Sequence, residues 1–420
     1  MAVQTVIFGR YRHKWLPALR RRYGDVFMLR IAPHARRVVL LSRPEHIRSV
    51  FTGPPSVMHA GEGNTILAPI MGHYSVLLLD EAAHLRIRHL LMPAFHGAAL
   101  RGYRAMVRDL TRAKVDSWPI DRTFSMHRCM QVLTLEVILQ VVFGVTDEQR
   151  LAQLRPLVGR LVGVSPIIML GSFYPQLQRI PPWRRFVDYL DTLDRLIYEQ
   201  ITQRQTAADL PSRNDVLSML LRAGLDSYDQ LTDIELRDNL VTLLLAGHET
   251  TATGLAWAFH DLARDPHLLH RTQEAADAGD DAYLEAVMKE ALRLHPVIYE
   301  VARRVTEPVQ VGPYLVPAGA TVMPTIGLVQ ADSELHEDPE RFDPTRFLAR
   351  QPALNTWIPF GGGARRCLGA GFSLMEGTVV LREVLSRFDI TPDSPRPEAA
   401  RSRNITLAPA RGVRLRVTPR

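Results

Sequence analysis

A glycine-rich turn that carries a single cysteine is the strongest candidate for chemistry in this sequence. It runs Phe360-Gly-Gly-Gly-Ala-Arg-Arg-Cys367-Leu-Gly369, directly before a predicted helix. Consecutive glycines let a backbone approach a flat partner without Cβ clashes. A cysteine at a helix N-terminus beside arginines has its thiolate favoured by the helix dipole and by charge. These conditions suit a thiolate metal ligand; the alternative is a buried core cysteine beside a glycine-rich loop.

A second set of polar residues interrupts the middle of a long predicted helix. It reads Ala246-Gly-His-Glu-Thr-Thr251, so that side-chain bulk is removed beside one carboxylate and two hydroxyls. A glycine inside a helix costs about 1 kcal/mol relative to alanine, which favours a deliberate gap. The alternative is a back-bonded threonine and a solvent-facing glutamate. A zinc-protease motif would need histidine at position 252, where the sequence has alanine.

Two pairs of ionisable residues lie at helical spacing. His84 and Arg88 are four positions apart and Glu290 and Arg293 are three apart, so each pair shares one helix face. Taken alone, such pairs are typical of a solvated surface and contribute less than about 0.5 kcal/mol. Whether these pairs have a functional role depends on the motifs around them.

Five motifs in a fixed order resemble the signature of the cytochrome P450 family of haem-thiolate monooxygenases. They are His84-x-x-x-Arg88, Ala246-Gly-His-Glu-Thr-Thr251, Glu290-x-x-Arg293, Pro344-Thr-Arg346-Phe347 and Phe360-x-x-Gly363-x-Arg365-x-Cys367-x-Gly369. With the flanking β-like segments, the resemblance covers essentially the whole chain. It implies haem b (iron protoporphyrin IX) as the cofactor.

The resemblance assigns the cofactor-binding residues one by one. Cys367 is the axial thiolate of the haem iron, where it pushes electron density towards the metal and favours O–O cleavage. The groups assigned to the haem propionates are His84, Arg88, Arg365 and Arg303, with Arg304 as the alternative to Arg303. The residues assigned to the surroundings of the cysteine and the ring are Phe360, Gly363, Gly369, Ala246 and Gly247.

The oxygen chemistry is assigned by the same resemblance. The Thr250 hydroxyl stabilises dioxygen on the iron and assists its protonation, and Glu249 relays the protons. Thr251 is the neighbouring candidate.

A supporting network is also implied. Glu290 and Arg293 bind the arginine of a downstream Pro-x-Arg-Phe segment and support the cysteine loop. Two segments fit, and we prefer Arg346 to Arg341 because the phenylalanine after Arg346 stands closer to the cysteine loop.

Apolar segments around these motifs are candidates for a substrate pocket. They cover residues 63–71, 161–180, 297–301 and 406–407, of which 161–180 resembles a flexible lid. The individual candidates are Ile66, Leu67, Ile70, Leu243, Val297, Ile298 and Leu407. Ordinary core has the same composition, so the segments favour an apolar substrate without identifying it.

The elements that must position these residues are mainly helical. Periodicity predicts helices over 15–22, 131–142, 186–203, 232–264 and 368–388. The β-like runs cover 26–31, 37–41, 309–311, 314–316 and 321–325, and a hairpin is predicted over 404–417 with its turn at Ala410-Arg-Gly412. We expect one cytochrome P450 domain over 1–420, mainly α, with a long central helix. Its helical core would cover about 80–300 and 328–390, and its small β-rich lobe about 20–60, 300–327 and 400–420.

Composition excludes several classes of protein. With 420 residues, 46% hydrophobic and 23% charged, the chain is globular rather than disordered. Three lysines leave 48 arginines and a net charge of +7, but no nucleic-acid-binding signature accompanies them. The two cysteines are consistent with a reducing cytosol. Because arginines and a lysine interrupt the N-terminus, we expect no signal peptide, no membrane span and a cytoplasmic protein.

The resemblance implies a monooxygenase that inserts one atom of dioxygen into an apolar small molecule. No cysteine-rich cluster is present, so electrons would come from a separate ferredoxin- or flavodoxin-type donor with its reductase. The arginines available for donor docking are Arg365, Arg366, Arg382 and Arg387. The alternatives are a peroxygenase driven by hydrogen peroxide, which the glutamate–threonine pair argues against, and a non-catalytic haem-binding protein.

Overall fold

Helices dominate the computed structural model of the chain, which describes residues 2–32, 35–145, 147–162, 168, 171, 174–225, 230–349 and 351–420. The α-helices span Ala2–Tyr23, Pro44–Phe51, Ala60–Gly63, Ala68–Met71, Glu81–Leu91, Gly97–Val115, Met126–Phe143, Glu148–Val162, Trp183–Gln205, Val216–Leu225, Asp233–Arg264, Pro266–Ala278, Asp281–Leu294, Ile326–Gln330 and Ala370–Leu385. Short 3₁₀ turns cover Thr65–Leu67, Met92–Phe95, Pro175–Arg179, Leu210–Ser212, Pro344–Phe347 and Gly363–Arg365.

The longest helix begins and ends where its sequence signals stand. At its start, the backbone N–H of Thr232 donates to the Glu235 carboxylate at 2.9 Å, and the N–H of Glu235 donates to the Thr232 hydroxyl at 3.3 Å. This is a capping box. At its end, Asp265 caps the following helix by accepting two backbone N–H bonds. The observed span of 32 residues, Asp233–Arg264, confirms the predicted long helix.

A five-stranded sheet joins the N-terminal region to the region around 303–324. Its strands lie in the order Val26–Ile31, Arg36–Leu41, Thr321–Pro324, Arg303–Val305 and Met58–His59. The pairing of Arg36–Leu41 with Thr321–Pro324 is parallel, and the other pairings are antiparallel.

Both faces of this sheet are covered. On Arg36–Leu41, Val39 and Leu41 belong to one buried cluster, and Val38 and Leu40 belong to another. Successive strand residues point to opposite faces, so a run of apolar residues without polar alternation requires cover on both sides. The first cluster includes residues of helix Pro44–Phe51, and the second includes Leu16 of the N-terminal helix.

The predicted C-terminal hairpin is wrong in its pairing. Strands Ala400–Arg403 and Thr406–Pro409 pair with each other around Asn404, which has a positive φ of 55°. The last strand, Arg414–Pro419, pairs instead with Phe388–Pro392 and Phe124–Ser125. Asparagine tolerates the left-handed region, so the turn forms there. The predicted β-like runs 309–311 and 314–316 are strands, and they pair with each other in an antiparallel hairpin.

The chain divides into two compact units. The first comprises Met1–Gly63, Arg104–Leu133 and Thr250–Arg420, and the second Asn64–Tyr103 and Thr134–Glu249. In the second unit, helix Trp183–Gln205 buries an apolar stripe, and its Arg204 forms a buried ion pair with Asp215 at 2.7 Å.

Within the described part of the chain, one helix has the length and apolar character of a membrane span. It is Met126–Phe143, and 72% of its apolar window is buried inside the protein. Burial of this extent is typical of a core helix. Of the predicted lid over 161–180, residues 163–167, 169–170 and 172–173 lie outside the described residues.

Candidate active site

The cysteine-bearing turn folds back on itself. The backbone N–H of Cys367 donates to the carbonyl oxygen of Phe360 at 2.9 Å, and helix Ala370–Leu385 begins shortly after the cysteine. Cys367 is exposed, which does not fit the alternative of a buried core cysteine. Cys129 is half-buried, and burial raises the pKa of its thiol to about 11. A thiolate is therefore disfavoured at Cys129.

Two glycines of the turn pack against Phe51. Gly363 has a φ of 65°, and a Cβ there would overlap the carbonyl oxygen of Phe51. A Cβ on Gly362 would overlap the Phe51 ring. Both glycines therefore pack against Phe51, Gly362 against its ring and Gly363 against its backbone. Gly369 differs, because open space lies where its Cβ would stand.

A row of three aromatic rings leads to the turn. Phe347 and Trp357 have ring centroids 5.6 Å apart, and Trp357 and Phe360 have centroids 5.8 Å apart, both nearly edge-to-face. The indole N–H of Trp357 donates to the carbonyl oxygen of Lys289 at 3.2 Å. The row thus connects helix Asp281–Leu294 with the backbone that carries Cys367.

Glu290, Arg293 and Arg346 come together in a buried network. The guanidinium of Arg293 donates two bonds to the Glu290 carboxylate, at 2.7 and 2.8 Å, and neither side chain is exposed. Arg346 Nε donates to the same carboxylate at 3.3 Å. Arg341 contributes its carbonyl oxygen, which accepts from Arg293 at 3.2 Å. Of the two candidate arginines, the structure brings the Arg346 side chain to Glu290.

Arg303 and Arg304 differ in burial. Arg303 is 6% exposed, and its guanidinium donates to the carbonyl oxygen of Ala302 at 2.8 Å. Arg304 is half-exposed and lies 3.7 Å from the Glu62 carboxylate. The two arginines therefore differ in exposure, and Arg304 lies beside a carboxylate.

The two threonines of the central helix have different surroundings. The Thr251 side chain is buried, and its hydroxyl donates to the Ser373 hydroxyl of helix Ala370–Leu385 at 3.1 Å. Thr250 is half-buried. Thr250 is therefore the more accessible hydroxyl, and Thr251 has a structural partner.

Gly247 allows two helices of the second unit to approach closely. A Cβ on Gly247 would lie 2.7 Å from Cδ1 of Ile138 on helix Met126–Phe143. The predicted gap is therefore filled, at least on this side, by an isoleucine. Ala246, the preceding residue, is exposed.

The neighbouring glutamate and histidine are buried. Glu249 is 4% exposed, which contradicts the alternative of a solvent-facing glutamate. His248 Nδ1 lies 3.1 Å from the Thr134 hydroxyl, which also donates to the His248 carbonyl oxygen at 3.0 Å. His248 thus has a structural role within the second unit.

His84 and Arg88 lie on helix Glu81–Leu91 of the second unit. His84 is 3% exposed and Arg88 is half-buried. Between them in the chain, Arg86 forms an ion pair with Glu235 at 2.6 Å. A buried histidine does not fit a solvated helix surface, which was the alternative for this pair.

The pocket candidates of the first unit form part of its core. The N–H of Leu407 donates to the Val297 carbonyl oxygen at 2.8 Å, and Ile298 pairs with Thr406 in an isolated β-bridge. Val297 and Leu407 are buried, and Ile298 is half-buried. Leu407 packs in the same cluster as Leu16.

The pocket candidates of the second unit differ among themselves. Ile70 and Leu243 are buried, Leu67 is half-buried, and Ile66 is exposed. Their burial alone therefore does not identify these four residues as the lining of one pocket.

Glu376 is a buried ionisable residue that was not among the site residues predicted from the sequence. It lies on helix Ala370–Leu385, is 1% exposed, and neither carboxyl oxygen has a hydrogen-bond partner. Burial raises its pKa well above the ordinary value. The signal available in the sequence was an acid inside the apolar run Leu374-Met-Glu-Gly377.

A polar cleft of about 660 Å³ lies elsewhere in the first unit. Its lining mixes basic, imidazole and acidic side chains. The basic and imidazole residues include His260, His295, Arg264, Arg271 and Arg341, and the acidic residues are Asp261, Asp265, Glu340, Asp343 and Glu398. His295 stacks on Trp257 at 4.1 Å and bonds to Asp261 at 2.8 Å. None of the residues assigned to haem or dioxygen lines this cleft.

The first unit offers donor groups that fit a thiolate-ligated haem. Cys367 presents an exposed thiol at the start of a helix, with open space at Gly369. Arg303 provides a buried guanidinium on the sheet. A thiolate and guanidinium groups match the iron and the two carboxylates of haem b.

Comparisons with known proteins agree with this chemistry. The family model described as Cytochrome P450 matches residues 3–414. Cytochrome P450 135A1 of Mycobacterium tuberculosis is 47% identical over 418 residues, which cover 99% of this chain and 93% of the relative. Cytochrome P450 135B1 of Mycobacterium bovis is 43% identical over 422 residues, covering 99% and 89%. The fold resembles that of retinoic acid bound cyanobacterial CYP120A1, with a TM-score of 0.84, 22% identity, and coverage of 99% of this chain and 96% of that one.

Proposed function

This chain belongs to the cytochrome P450 family, and we propose that it oxidises an apolar small molecule with electrons from a separate ferredoxin- or flavodoxin-type donor and its reductase. As a family member it is a haem-thiolate monooxygenase, an oxidoreductase that uses haem, dioxygen, a redox partner and an organic substrate. The apolar character of the substrate follows from the pocket candidates. A cytoplasmic location, without a nucleic-acid partner, is part of the proposal.

The observation that carries the proposal is the exposed thiol of Cys367 in a turn closed by its own backbone hydrogen bond. In the proposed site the Cys367 thiolate would hold the haem iron, with Phe360, Gly363 and Gly369 around the cysteine. Haem with an axial thiolate supplies the electron-rich iron at which dioxygen is reduced and the O–O bond broken. The protein must hold this thiolate, orient the substrate and deliver protons.

Four side chains would hold the propionates, as the family resemblance assigns them. They are Arg303, Arg365, His84 and Arg88. Charge-assisted bonds from arginine to a carboxylate are about twice as strong as neutral ones. Arg303 and His84 are both buried, at 6% and 3% exposure, as residues that line an enclosed cofactor site would be.

Proton delivery is assigned to Glu249 and Thr250. A buried carboxyl and an accessible hydroxyl on consecutive residues can pass a proton towards bound dioxygen. Thr250 is the reacting hydroxyl of this proposal, as the family resemblance assigns it, and the bond from Thr251 to Ser373 gives Thr251 a structural role. Ala246 and Gly247 keep the preceding turn of the helix small.

A peroxygenase is the alternative reaction. It would use hydrogen peroxide directly and would not need an acid–alcohol pair to protonate dioxygen. The retained pair Glu249-Thr250 favours dioxygen. Turnover with peroxide alone that exceeds turnover with dioxygen, ferredoxin and reductase would reverse this preference.

The direct test is Cys367→Ala compared with Cys129→Ala. We expect Cys367→Ala to lose the thiolate signature of the ferrous carbon monoxide spectrum and to lose oxygenase turnover. Cys129→Ala should keep both, because the pKa of Cys129 disfavours the thiolate. An unchanged carbon monoxide spectrum in Cys367→Ala, or haem-free purified protein, would refute the proposed site and leave no catalytic role for this cysteine.

A further inference from the structure

Arg12 is a buried arginine on the N-terminal helix. It is 3% exposed, whereas Arg10 and Lys14 on the same helix are exposed. The helix departs from helical geometry at Tyr11 (φ −130°, ψ 16°), immediately before Arg12. The Arg12 guanidinium donates to the carbonyl oxygen of Gly9 in the preceding turn at 3.2 Å.

The same guanidinium holds two segments that are distant in sequence. It donates to the carbonyl oxygens of Asn404 and Ile405, at 3.3 and 2.9 Å, in the turn of the hairpin Ala400–Pro409. Its Nε lies 3.2 Å from the Glu300 carboxylate. One side chain of the N-terminal helix therefore joins the hairpin turn to the segment 297–301.

Glu300 stands at the end of a segment with backbone bonds on both sides. On one side, the N–H of Leu407 donates to Val297. On the other, the N–H of Val301 donates to the Pro324 carbonyl oxygen at 3.1 Å, and the Tyr299 carbonyl oxygen accepts from the N–H of Gly327 in helix Ile326–Gln330 at 3.1 Å. The Glu300 side chain is 13% exposed, and one of its oxygens has no hydrogen-bond partner.

Stability alone does not explain this pair. Removing two charges from water costs several kcal/mol for each ion, and an apolar pair of similar volume is often as stable or more stable. The Arg12–Glu300 pair also leaves polar atoms without hydrogen bonds, including Arg12 Nε and one Glu300 oxygen. An ion pair holds its two charged groups at a defined distance and orientation. An apolar pair of similar volume only fills the space between the segments.

We propose that Arg12 and Glu300 form a positioning clamp, which fixes the segment 297–300 against the hairpin turn and thereby sets which bulky ligands the substrate site admits. The clamp rests on the proposed function, in which Val297, Ile298 and Leu407 line that site. Arg12 touches neither substrate nor cofactor in this proposal. It acts through the backbone that carries these residues.

The test compares two azoles that bind haem and differ in size. Imidazole needs little space, whereas 4-phenylimidazole must contact the walls of the site. In Arg12→Leu we expect the Kd of 4-phenylimidazole, read from the haem absorption shift, to rise about fivefold, equivalent to about 1 kcal/mol. The Kd of imidazole and the ferrous carbon monoxide spectrum should not change. Arg10→Leu, an exposed position on the same helix, is the matched control.

Two further variants separate positioning from packing. Glu300→Gln keeps the shape of the side chain and should give the same selective loss of 4-phenylimidazole affinity. It also provides the test if Arg12→Leu fails to fold. The double variant Arg12→Leu/Glu300→Leu removes both charges, so we expect it to fold stably and still bind 4-phenylimidazole weakly. Recovery of wild-type affinity in the double variant would show that the pair only fills space and would overturn the clamp.

Failure of the clamp and failure of the proposed function give different results. If the single variants bind both azoles as the wild type does, the clamp is wrong and the haem site stands. If the wild-type protein shows no azole-induced absorption shift and no thiolate carbon monoxide spectrum, the proposed function fails and the clamp fails with it.

Discussion

Glu376 is an ionisable residue whose surroundings oppose its ionisation. Burial raises its pKa, and neither oxygen has a hydrogen-bond partner. In the unfolded chain a glutamate carboxyl ionises near its ordinary pKa of about 4.3. The folded protein therefore retains a proton that the unfolded chain releases as the pH rises.

This difference predicts a pH dependence of stability. The free energy of unfolding should fall as the pH rises above the ordinary pKa, because the unfolded state then binds fewer protons. Glu376→Gln has no proton to lose, so its free energy of unfolding should fall less between pH 5 and pH 8 than that of the wild type. Denaturant unfolding of the haem-loaded protein at several pH values measures this slope.

Glu307→Gln is the control for this experiment, because Glu307 is exposed. It should keep the wild-type slope. A Glu376→Gln slope that equals that of the wild type would mean that Glu376 ionises normally in the folded protein.

The residue types of the candidate site were readable in the sequence, but their surroundings were not. Cysteine, threonine and glutamate stand at family spacing, and this spacing assigned them roles. That Thr251 bonds to Ser373 and that Gly247 accommodates Ile138 depends on partners more than 100 positions away in the chain. A local sequence pattern cannot predict partners that are so distant in the chain.

At the scale of elements, local signals placed the helices and failed for one strand pairing. The helix over 233–264 carries its own capping residues, so its ends were predictable to within one residue. The strand Arg414–Pro419 has no local signal for its partner, because it pairs with Phe388–Pro392 across the connecting hairpin. The turn was predicted at 410–412 because a glycine lies there, whereas the hairpin turns at Asn404.

The buried network of Glu290, Arg293 and Arg346 is the element-scale feature that we propose supports the cysteine loop. Its Arg346 side chain also donates to the Asp338 carbonyl oxygen at 3.0 Å. Arg346→Leu removes two bonds made by a charged group, each worth about 1.5–3 kcal/mol. We expect Arg346→Leu to lower the free energy of unfolding by about 3 kcal/mol, the lower end of that sum, and to release haem faster.

Arg341→Leu is the matched substitution, because Arg341 contributes its backbone carbonyl to the network. It should change the free energy of unfolding by less than about 0.5 kcal/mol. Equal losses in the two variants, measured by denaturant unfolding and by haem transfer to apomyoglobin, would contradict the assignment of Arg346.

At the scale of the whole molecule, the net charge of +7 is not freely available to a partner. Of the four arginines expected to dock an electron donor, Arg382 pairs with Asp281 and Arg387 pairs with Asp116. Arg366 is exposed. Because surface attraction is reduced when a cation already has a carboxylate neighbour, Arg366 is the strongest docking candidate.

Arg366→Glu should raise the KM for a [2Fe–2S] ferredoxin several-fold at low ionic strength, with a smaller effect at high salt. Arg396→Glu makes the same charge change at another exposed arginine and should leave that KM nearly unchanged. Steady-state turnover at two ionic strengths distinguishes them. Equal effects of the two substitutions would indicate that only net charge matters.

The row of rings from Phe347 to Phe360 gives the protein an intrinsic optical reporter. Trp357 is one of five tryptophans in the chain, and its ring is next to Phe360, whose carbonyl oxygen holds the backbone N–H of Cys367. Haem absorbs where tryptophan emits, so a nearby porphyrin quenches indole fluorescence by energy transfer. Emission from Trp357 should therefore report how the cysteine turn takes up and loses its cofactor, without any label attached to the chain.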